Sequence, residues 1–333
     1  MPDKHKRYPK IHIRSKNELA KHLSDRHFSK EQAIALINDV LQNYESYWRD
    51  HPTESQPLKG KWVRDASMTN LGKLLKKVDA QVLKPHDSLV PNFIFGGVGG
   101  LNHKAAVQHL LGARRKRVLL KLDISKFFER IKRERVQSLF LHKTGCGRKG
   151  AALLANLCCV PYGPKEHPEK YQTIARGFAT SPRLAIWCNL DTFLKLDRLI
   201  KKELSGKDPR IAIYVDDIGV TASRITKEDM IRLYPKIKDI LEEDHNQKLP
   251  INEAKTRIIY HSGETYDIRG GFIGKWGFEH LGLQMNRNSL TLGTKTRWKL
   301  TNQTLQHKSA HGRDFDLKRR RKSILSYKQY IER

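Results

Sequence analysis

The chain has 333 residues, with 64 lysines and arginines against 35 aspartates and glutamates, which gives a formal net charge of +29. Apolar residues make up 38% of the chain, and no run reaches the roughly 18 apolar residues that a bilayer crossing needs. The N-terminal sequence lacks the apolar stretch of a secretory signal, and the four cysteines fit neither a disulfide framework nor a standard zinc site. We therefore expect a cytoplasmic protein without a membrane span.

The positive charge is clustered. Residues 112–135 contain ten lysines and arginines against three acids, and residues 295–333 contain twelve against three. Self-repulsion of this size disfavours a compact chain unless a polyanion neutralises it, so the composition predicts a nucleic-acid partner. A merely soluble basic protein and a membrane-surface binder are the alternatives.

The N-terminal third is predicted to be helical after a loosely packed start. Residues 1–30 are basic and without clear periodicity, which favours an arm. Ser29 and Gln32 form a capping-box pattern, and apolar residues then recur at helical spacing as far as Trp48. A second helix is predicted for residues 71–83. The glycines of residues 95–100 either let the backbone approach another strand or a ligand closely, or form a flexible turn.

The remainder combines strands and helices. Residues 118–124 alternate as a strand, and helices are predicted for residues 132–141, 149–159, 182–204 and 227–244. Residues 211–221 read as a tight hairpin with Asp216 and Asp217 at its tip, and residues 280–292 as a second hairpin. These elements predict an α+β fold with an antiparallel sheet.

Three aspartates form the candidate chemical site. Asp216 and Asp217 are adjacent like charges in a turn, which costs free energy unless a cation lies beside them. Aspartate is also a common turn residue, so a solvated pair is the alternative interpretation. Asp123 ends a strand that can lie beside the hairpin and would place three carboxylates on one sheet face. Such oxygen ligands suit Mg²⁺, and two ions roughly 4 Å apart support in-line phosphoryl displacement.

Five blocks of sequence occur in the order of reverse transcriptase motifs A to E: residues 123–128 (DISKFF), 177–182 (GFATSP), 214–217 (YVDD), 252–256 (NEAKT) and 281–283 (LGL). Over about residues 60–330 the chain resembles the bacterial retron and defence-associated reverse transcriptases. The resemblance implies a right-hand polymerase with a basic N-terminal arm (1–30), fingers with N-terminal helices (31–115), an antiparallel-sheet palm with a fingers insertion (116–280), and a primer-grip hairpin with a short, basic helical thumb (281–333).

The resemblance also implies roles for particular residues of these motifs. Asp123, Asp216 and Asp217 would hold two Mg²⁺ ions, with Mn²⁺ as an alternative, and the main-chain carbonyl of Ile124 would be a further ligand. Lys255 would neutralise or protonate the departing pyrophosphate.

Several residues are expected to contact the incoming nucleotide. Phe128 would stack under the sugar and exclude a 2′-hydroxyl; its neighbour Phe127 is the alternative gate and is otherwise core. Arg176 stands where the family usually has glutamine, so its guanidinium could meet a triphosphate or template phosphate. Gly177 would let the backbone approach the nucleotide or template. The remaining nucleotide-binding candidates are Lys61 and Arg64.

Nucleic-acid contacts are expected from the hairpin, the grip and the thumb. The candidates are Tyr214, Leu281, Gly282, Leu283, Lys318, Arg319, Arg320 and Arg321. A basic run of this kind is also often only a solvated face, which is the alternative for residues 318–321.

The resemblance predicts an RNA-directed DNA polymerase that uses dNTPs to copy a cognate noncoding RNA into cDNA, in bacterial antiphage defence. A second copy of the chain or a second defence protein is a further expected partner. Arg176 motivates the hypothesis of atypical or repetitive templating. The alternatives are a noncatalytic nucleic-acid-binding palm scaffold and an RNA-dependent RNA polymerase.

Overall fold

The computed structural model describes residues 8–112, 116–243, 248–286, 289–309 and 326–331. It confirms the α+β class. The helices are α1 (Lys16–Leu23), α2 (Lys30–Asn43), α3 (Asn70–Val78), α4 (His103–Leu111), α5 (Arg133–Ser138), α6 (Arg148–Cys158), α7 (Ser181–Glu203), α8 (Lys227–Glu242) and α9 (Thr294–Ser309). Residues 326–331 form a further helical turn.

The strands of the described residues make four antiparallel sheets. Two are small, and pair β1 (Arg49–Asp50) with β2 (Arg64–Asp65), and β4 (Cys159–Pro161) with β5 (Gln172–Ile174). The central sheet has the order β10-β9-β8-β3-β7-β6, and is built from β3 (Arg117–Asp123), β6 (Arg210–Tyr214), β7 (Asp217–Ser223), β8 (Arg257–Tyr260), β9 (Glu264–Tyr266) and β10 (Phe272–Lys275). The last has three strands: β11 (Glu279–His280), β12 (Leu283–Met285) and β13 (Leu290–Leu292).

Strand β3 is central and buried on both faces. Its alternation is as predicted: Val118, Leu120 and Leu122 enter the main core, whereas Leu119 enters a second core cluster under α4 and the three-stranded sheet. Because β3 pairs with β7 on one side and β8 on the other, its C-terminal end is held in a fixed register. The sheet thereby fixes where Asp123 lies.

The predicted helices form, with ends shifted by a few residues. The capping box of Ser29 and Gln32 is present and begins α2, but the helix ends at Asn43 and continues only as a 3₁₀ turn to Tyr47. Helix α7 is the longest, with 23 residues, and its buried side packs into the main core.

The prediction of a loosely packed N-terminal arm is wrong for residues 8–23. Ile11 and Ile13 are buried, their main chain bonds to the segment before α6, and helix α1 buries Leu19 and Leu23. These apolar residues are irregularly spaced, so a search for periodicity does not detect them, although each is buried in the core. Residues 1–7 lie outside the described part of the chain.

The predicted second hairpin is confirmed as β12 and β13, while its tip at residues 287–288 lies outside the described residues. His280, the predicted first residue of the hairpin, belongs instead to a third strand, β11. The final helical turn packs on α4, where the Tyr327 hydroxyl lies 2.8 Å from His103 Nε2 and the Asn102 amide donates to the Tyr330 hydroxyl at 2.6 Å. Across the described residues, no helix is both long enough and apolar enough to cross a bilayer.

Candidate active site

The hairpin of β6 and β7 presents two aspartates at its tip. Tyr214 pairs with Asp217 and leaves Val215 and Asp216 as the two-residue turn. Val215 has φ +59°, a conformation that costs a β-branched residue free energy of roughly 1–3 kcal/mol. Gly96 packs directly on this turn, since a Cβ there would lie 2.6 Å from the Val215 nitrogen. The glycine-rich segment therefore makes a close backbone approach and holds the tip in place.

Strand β3 brings the third aspartate to the same place. Asp123 is the direct cross-strand partner of Asp217, so the two side chains project from the same face of the sheet. The main-chain nitrogen of Ile124 donates to the Asp216 carbonyl at 2.9 Å. The strand of Asp123 thus lies beside the hairpin, as the sequence predicts.

The electrostatics of the tip are those of crowded carboxylates. Burial raises the pKa of Asp217 to about 6, and the charges of Asp216 and Asp123 act in the same direction. Burial also raises the pKa of Asp216, with Asp123 contributing and the Arg176 charge opposing. The carboxylates lie close enough to repel one another, so a bound cation would stabilise the ionised set.

Lys255 supplies one positive charge at this site. It ends the 3₁₀ turn Glu253–Lys255, and its ammonium lies 3.1 and 3.0 Å from the two carboxylate oxygens of Asp123. The segment is tied to the strand end by the Asn252 nitrogen, which donates to the Asp123 carbonyl at 2.8 Å. With the side chain of Lys255 62% exposed, the ammonium remains accessible to solvent.

Phe128 lies beneath Arg176. Phe127 is fully buried and packs against Phe193, which confirms its expected place in the core. Phe128 is 7% exposed, and the Arg176 guanidinium covers its ring at 4.8 Å from the centroid. Arg176 also forms an ion pair with Glu129, with Nε 3.3 Å from Oε1. Phe128 is thus covered by Arg176, and Arg176 is held there by its ion pair with Glu129, the residue that follows Phe128 in the chain.

Two nucleotide-binding expectations need correction. Arg64 is 3% exposed, its guanidinium pairs with Asp50, donates to the Pro161 carbonyl at 3.0 Å and stacks on Trp48. It is a structural arginine and does not reach the aspartates. Gly177 has φ +103°, and a Cβ there would lie 2.3 Å from the Arg64 carbonyl oxygen. The close approach that this glycine permits is to the chain's own strand β2.

Lys61 remains a candidate by position only. Its main chain pairs with Gln56 across a narrow loop, and its side chain is half-buried. Tyr162 connects this loop to Lys126, which follows Asp123 in the chain. The Tyr162 hydroxyl donates to the Gly60 carbonyl at 3.1 Å and lies 3.4 Å from the Lys126 ammonium.

The predicted nucleic-acid residues fall into three groups. Leu283 is fully buried in the second core cluster, so its expected contact with nucleic acid is corrected. Leu281 and Gly282 form the turn between β11 and β12, with φ of +51° and +75°, and Tyr214 is half-buried against the second cluster. Residues 318–321 lie outside the described part of the chain.

Sequence reasoning assigned no role to two lysines that lie close to Asp123 in the chain. Lys126 is exposed, has φ +52°, and its ammonium lies 3.4 Å from the Tyr162 hydroxyl. The charge of Lys121 on β3 opposes the rise in the pKa of Asp217 that burial causes, and it is the largest contribution in that direction. Both stand within or next to the first aspartate motif, so their position in the sequence was the available signal.

The donor set is suited to a hard divalent ion. Within the described residues, no group of three His, Cys, Asp or Glu side chains is already arranged to hold a metal. Nevertheless, the possible ligands on Asp123, Asp216 and Asp217 are all carboxylate oxygens. Mg²⁺ and Mn²⁺ prefer such oxygen ligands, whereas zinc is more often bound by thiolate and imidazole groups. The residues present therefore fit the implied ions by their chemistry.

The central antiparallel sheet carries carboxylates on a hairpin and on the adjacent strand, and a family match implies that it is the palm of a polymerase. A model of the family described as reverse transcriptase (RNA-dependent DNA polymerase) matches residues 56–285, which is more than half of the chain. The chain belongs to this reverse transcriptase family.

Among curated proteins, the chain is similar to the retron Ec48 reverse transcriptase of Escherichia coli. The two are 27% identical over 187 residues, which cover 54% of this chain and 41% of that relative. The match thus spans less than half of the relative's length, and it supports a place among the bacterial retron-type reverse transcriptases.

Proposed function

We propose that this protein copies an RNA template into DNA with a pair of divalent ions held by Asp123, Asp216 and Asp217. The observation that carries the proposal is the register that sets Asp123 directly opposite Asp217, within a chain of the reverse transcriptase family. The main-chain carbonyl of Ile124 is proposed as a further ligand. When bound, such ions activate the attacking hydroxyl and stabilise the leaving oxygen.

The chain's own residues bind and orient the substrates. The ammonium of Lys255 lies at the Asp123 carboxylate, where it can neutralise and protonate a departing pyrophosphate. Lys121, two residues before Asp123 on the same strand, adds positive charge that acts on Asp217. Phe128 is proposed to sit under the incoming sugar, and Arg176 must then leave or share the face of its ring, because the guanidinium covers it.

The proposed active site lies in the palm, and the other subdomains are proposed from their position in the chain relative to it. Residues 31–115 and the segment inserted into the palm would form the fingers, residues 116–280 the palm, and residues 281–333 the primer grip and thumb. The three-stranded sheet packs against α4 through the second core cluster, which gives the proposed grip a rigid support next to the central sheet.

Arg176 supports a finer proposal about templating. Its charge opposes the rise in the pKa of Asp216 that burial causes. Arg176 therefore lies within electrostatic reach of the hairpin tip as well as over Phe128. An arginine there can hold a phosphate that a neutral side chain cannot. We therefore propose atypical or repetitive copying of a cognate noncoding RNA in antiphage defence, which is tested by sequencing the DNA made on the native RNA; a faithful copy of one long template contradicts repetition.

The test of the polymerase proposal is incorporation of labelled nucleotides by the purified protein on an RNA template with an annealed primer. Mg²⁺-dependent incorporation of dNTPs, and not of NTPs, is expected. Incorporation of NTPs in preference would support an RNA polymerase, whereas RNA binding without any incorporation would support a noncatalytic scaffold.

A further inference from the structure

A cavity of about 430 Å³ lies at the opposite end of the central sheet from the aspartates. It is bordered by the end of α4, the start of β3, the turn between β8 and β9, the residues after β10, and strand β12 with the residue after it. Its volume falls in the range of roughly 300–1,000 Å³ that is usual for ligand sites. The cavity has no part in the proposed chemistry.

The distance from the aspartates follows from strand geometry. Arg117 lines the cavity and begins β3, while Asp123 ends it six residues later. At about 3.3 Å per residue the two ends are separated by roughly 20 Å. A ligand in the cavity therefore does not contact the catalytic carboxylates.

The walls of the cavity combine an aromatic face, a lysine ammonium and further polar side chains. Trp276 lines it and is 54% exposed, so one part of the indole is open to an incoming ring. Lys116 and His261 also line it and are exposed. Burial and the charge of Lys116 lower the pKa of His261, so at pH 7 Lys116 is the cation and His261 a mostly neutral hydrogen-bonding group. Ser262 and Gln284 add polar side chains to the lining. The fold fixes Trp276, because its main-chain nitrogen donates to the Gly263 carbonyl at 2.8 Å.

We infer that this cavity holds one unpaired nucleotide of a single strand, with the base stacked on Trp276 and its phosphate beside Lys116 and His261. An aromatic face next to cations is the arrangement by which proteins bind single strands, since every base offers a flat face and every linkage a negative charge. The RNA template and the DNA product are both chemically able to supply such a nucleotide. The inference rests on the proposed function only for the presence of these strands.

Charge favours nucleic acid over a protein segment at this site. The neighbouring edge strand β10 exposes Phe272 and Ile273, to which a partner strand could add. However, the Phe272 ring packs toward Tyr266 at 5.5 Å and does not line the cavity. The cavity has Lys116 and His261 at its walls, Arg117 is already paired with Asp208, and the chain as a whole carries +29. Glu264, on β9, is the acidic group that faces His261.

The experiment measures binding of fluorescent single-stranded RNA and DNA oligonucleotides of about eight nucleotides to the full chain by anisotropy. Trp276→Ala is expected to weaken binding about tenfold, as loss of one stacked base predicts, and Trp276→Phe to restore most of it. Phe272→Ala is the matched control, because it removes an equally exposed ring from β10 outside the cavity. It should stay within about twofold of wild type.

Two further measurements locate the strand and separate its sources. Lys116→Gln should reduce the slope of log affinity against log salt by about 0.7, the loss of one phosphate contact on a single strand. Photocrosslinking with 5-iodouridine RNA, or its deoxyuridine counterpart, should give an adduct in the peptide that contains Trp276. The strand that loses more affinity in Trp276→Ala identifies the source, and blunt duplex should lose none.

The inference is overturned if Trp276→Ala binds both single strands as wild type does. It is also overturned if Phe272→Ala loses as much, which would indicate docking along the edge of β10. Primer extension on a short duplex should be unchanged in Trp276→Ala. Absence of extension by the wild-type protein would defeat the polymerase proposal while leaving the binding result intact.

Discussion

His280 is a buried histidine whose replacement by leucine is expected to stabilise the protein, most strongly at low pH. Its side chain is fully buried, and neither ring nitrogen has a hydrogen-bond partner among the described residues. Gly219 makes room for it, since a Cβ there would lie 2.9 Å from His280 Nε2. Burial, with a contribution from the Lys121 charge, lowers its pKa from 6.5 to about 3.

The magnitude follows in two parts. A buried polar group without a partner costs about 1–3 kcal/mol, which leucine of similar volume recovers at neutral pH, less any packing strain. Below pH 6.5 the unfolded chain binds a proton at this histidine that the folded protein refuses until about pH 3. Stability is therefore lost as pH falls through 6.5, and by pH 5 the loss from this one group is about 2 kcal/mol.

The assay is urea unfolding of wild type and His280→Leu at pH 7 and pH 5 and constant ionic strength, followed by circular dichroism. The advantage of the variant should grow by about 2 kcal/mol between the two pH values. The exposed His27→Gln is the control for loss of a histidine and should show no such growth. Equal pH dependence of wild type and His280→Leu would refute the reasoning, whatever the difference at pH 7.

Three other substitutions test the site and its support. Phe128→Ala should raise the kcat/KM for an NTP relative to the matching dNTP, because it removes the ring that would meet a 2′-hydroxyl; an unchanged ratio argues against the gate. Arg64→Met should lower the free energy of unfolding by about 3–5 kcal/mol, since it leaves buried acceptors without their donor, and a loss below about 1 kcal/mol would count against the structural role. Lys255→Met should strengthen Mn²⁺ binding to the free protein by up to about fivefold, measured by electron paramagnetic resonance, because the ammonium no longer competes for Asp123. The exposed Lys275→Met is its control, and unchanged binding in Lys255→Met would contradict the competition.

The central strand and its hairpin were predictable from sequence because local rules decide them. Alternation along β3 separates Leu119 from Val118 and Leu120, and tertiary packing uses that separation as expected. Two apolar runs around Asp216 and Asp217 leave little choice but a tight turn. The pairing of Asp123 with Asp217 required more, since it joins residues far apart in the chain: the position of Asp123 at a strand end allowed it, and the order of the motifs favoured it.

The misassigned residues depend on contacts between distant segments. Arg64 has the appearance of a phosphate-binding arginine until Trp48, Asp50 and the Pro161 carbonyl are seen to enclose it. The motif assigns Leu283 to the primer grip, whereas the structure buries its side chain in the core. Trp276 belongs to no motif, and its significance comes from a cavity formed by five separate segments. Such enclosure is set by tertiary structure, which pattern and spacing do not reveal.

The most direct measurement of the central claim is primer extension by Asp217→Asn at saturating Mg²⁺ and dNTP. Asp217→Asn is expected to lose all extension while its RNA affinity remains that of wild type and its melting temperature does not fall, since the change removes one of the crowded carboxylates. Asp239→Asn, which removes an exposed carboxylate on α8, should extend normally. Extension at the wild-type rate by Asp217→Asn would contradict the assignment of the hairpin carboxylates to catalysis.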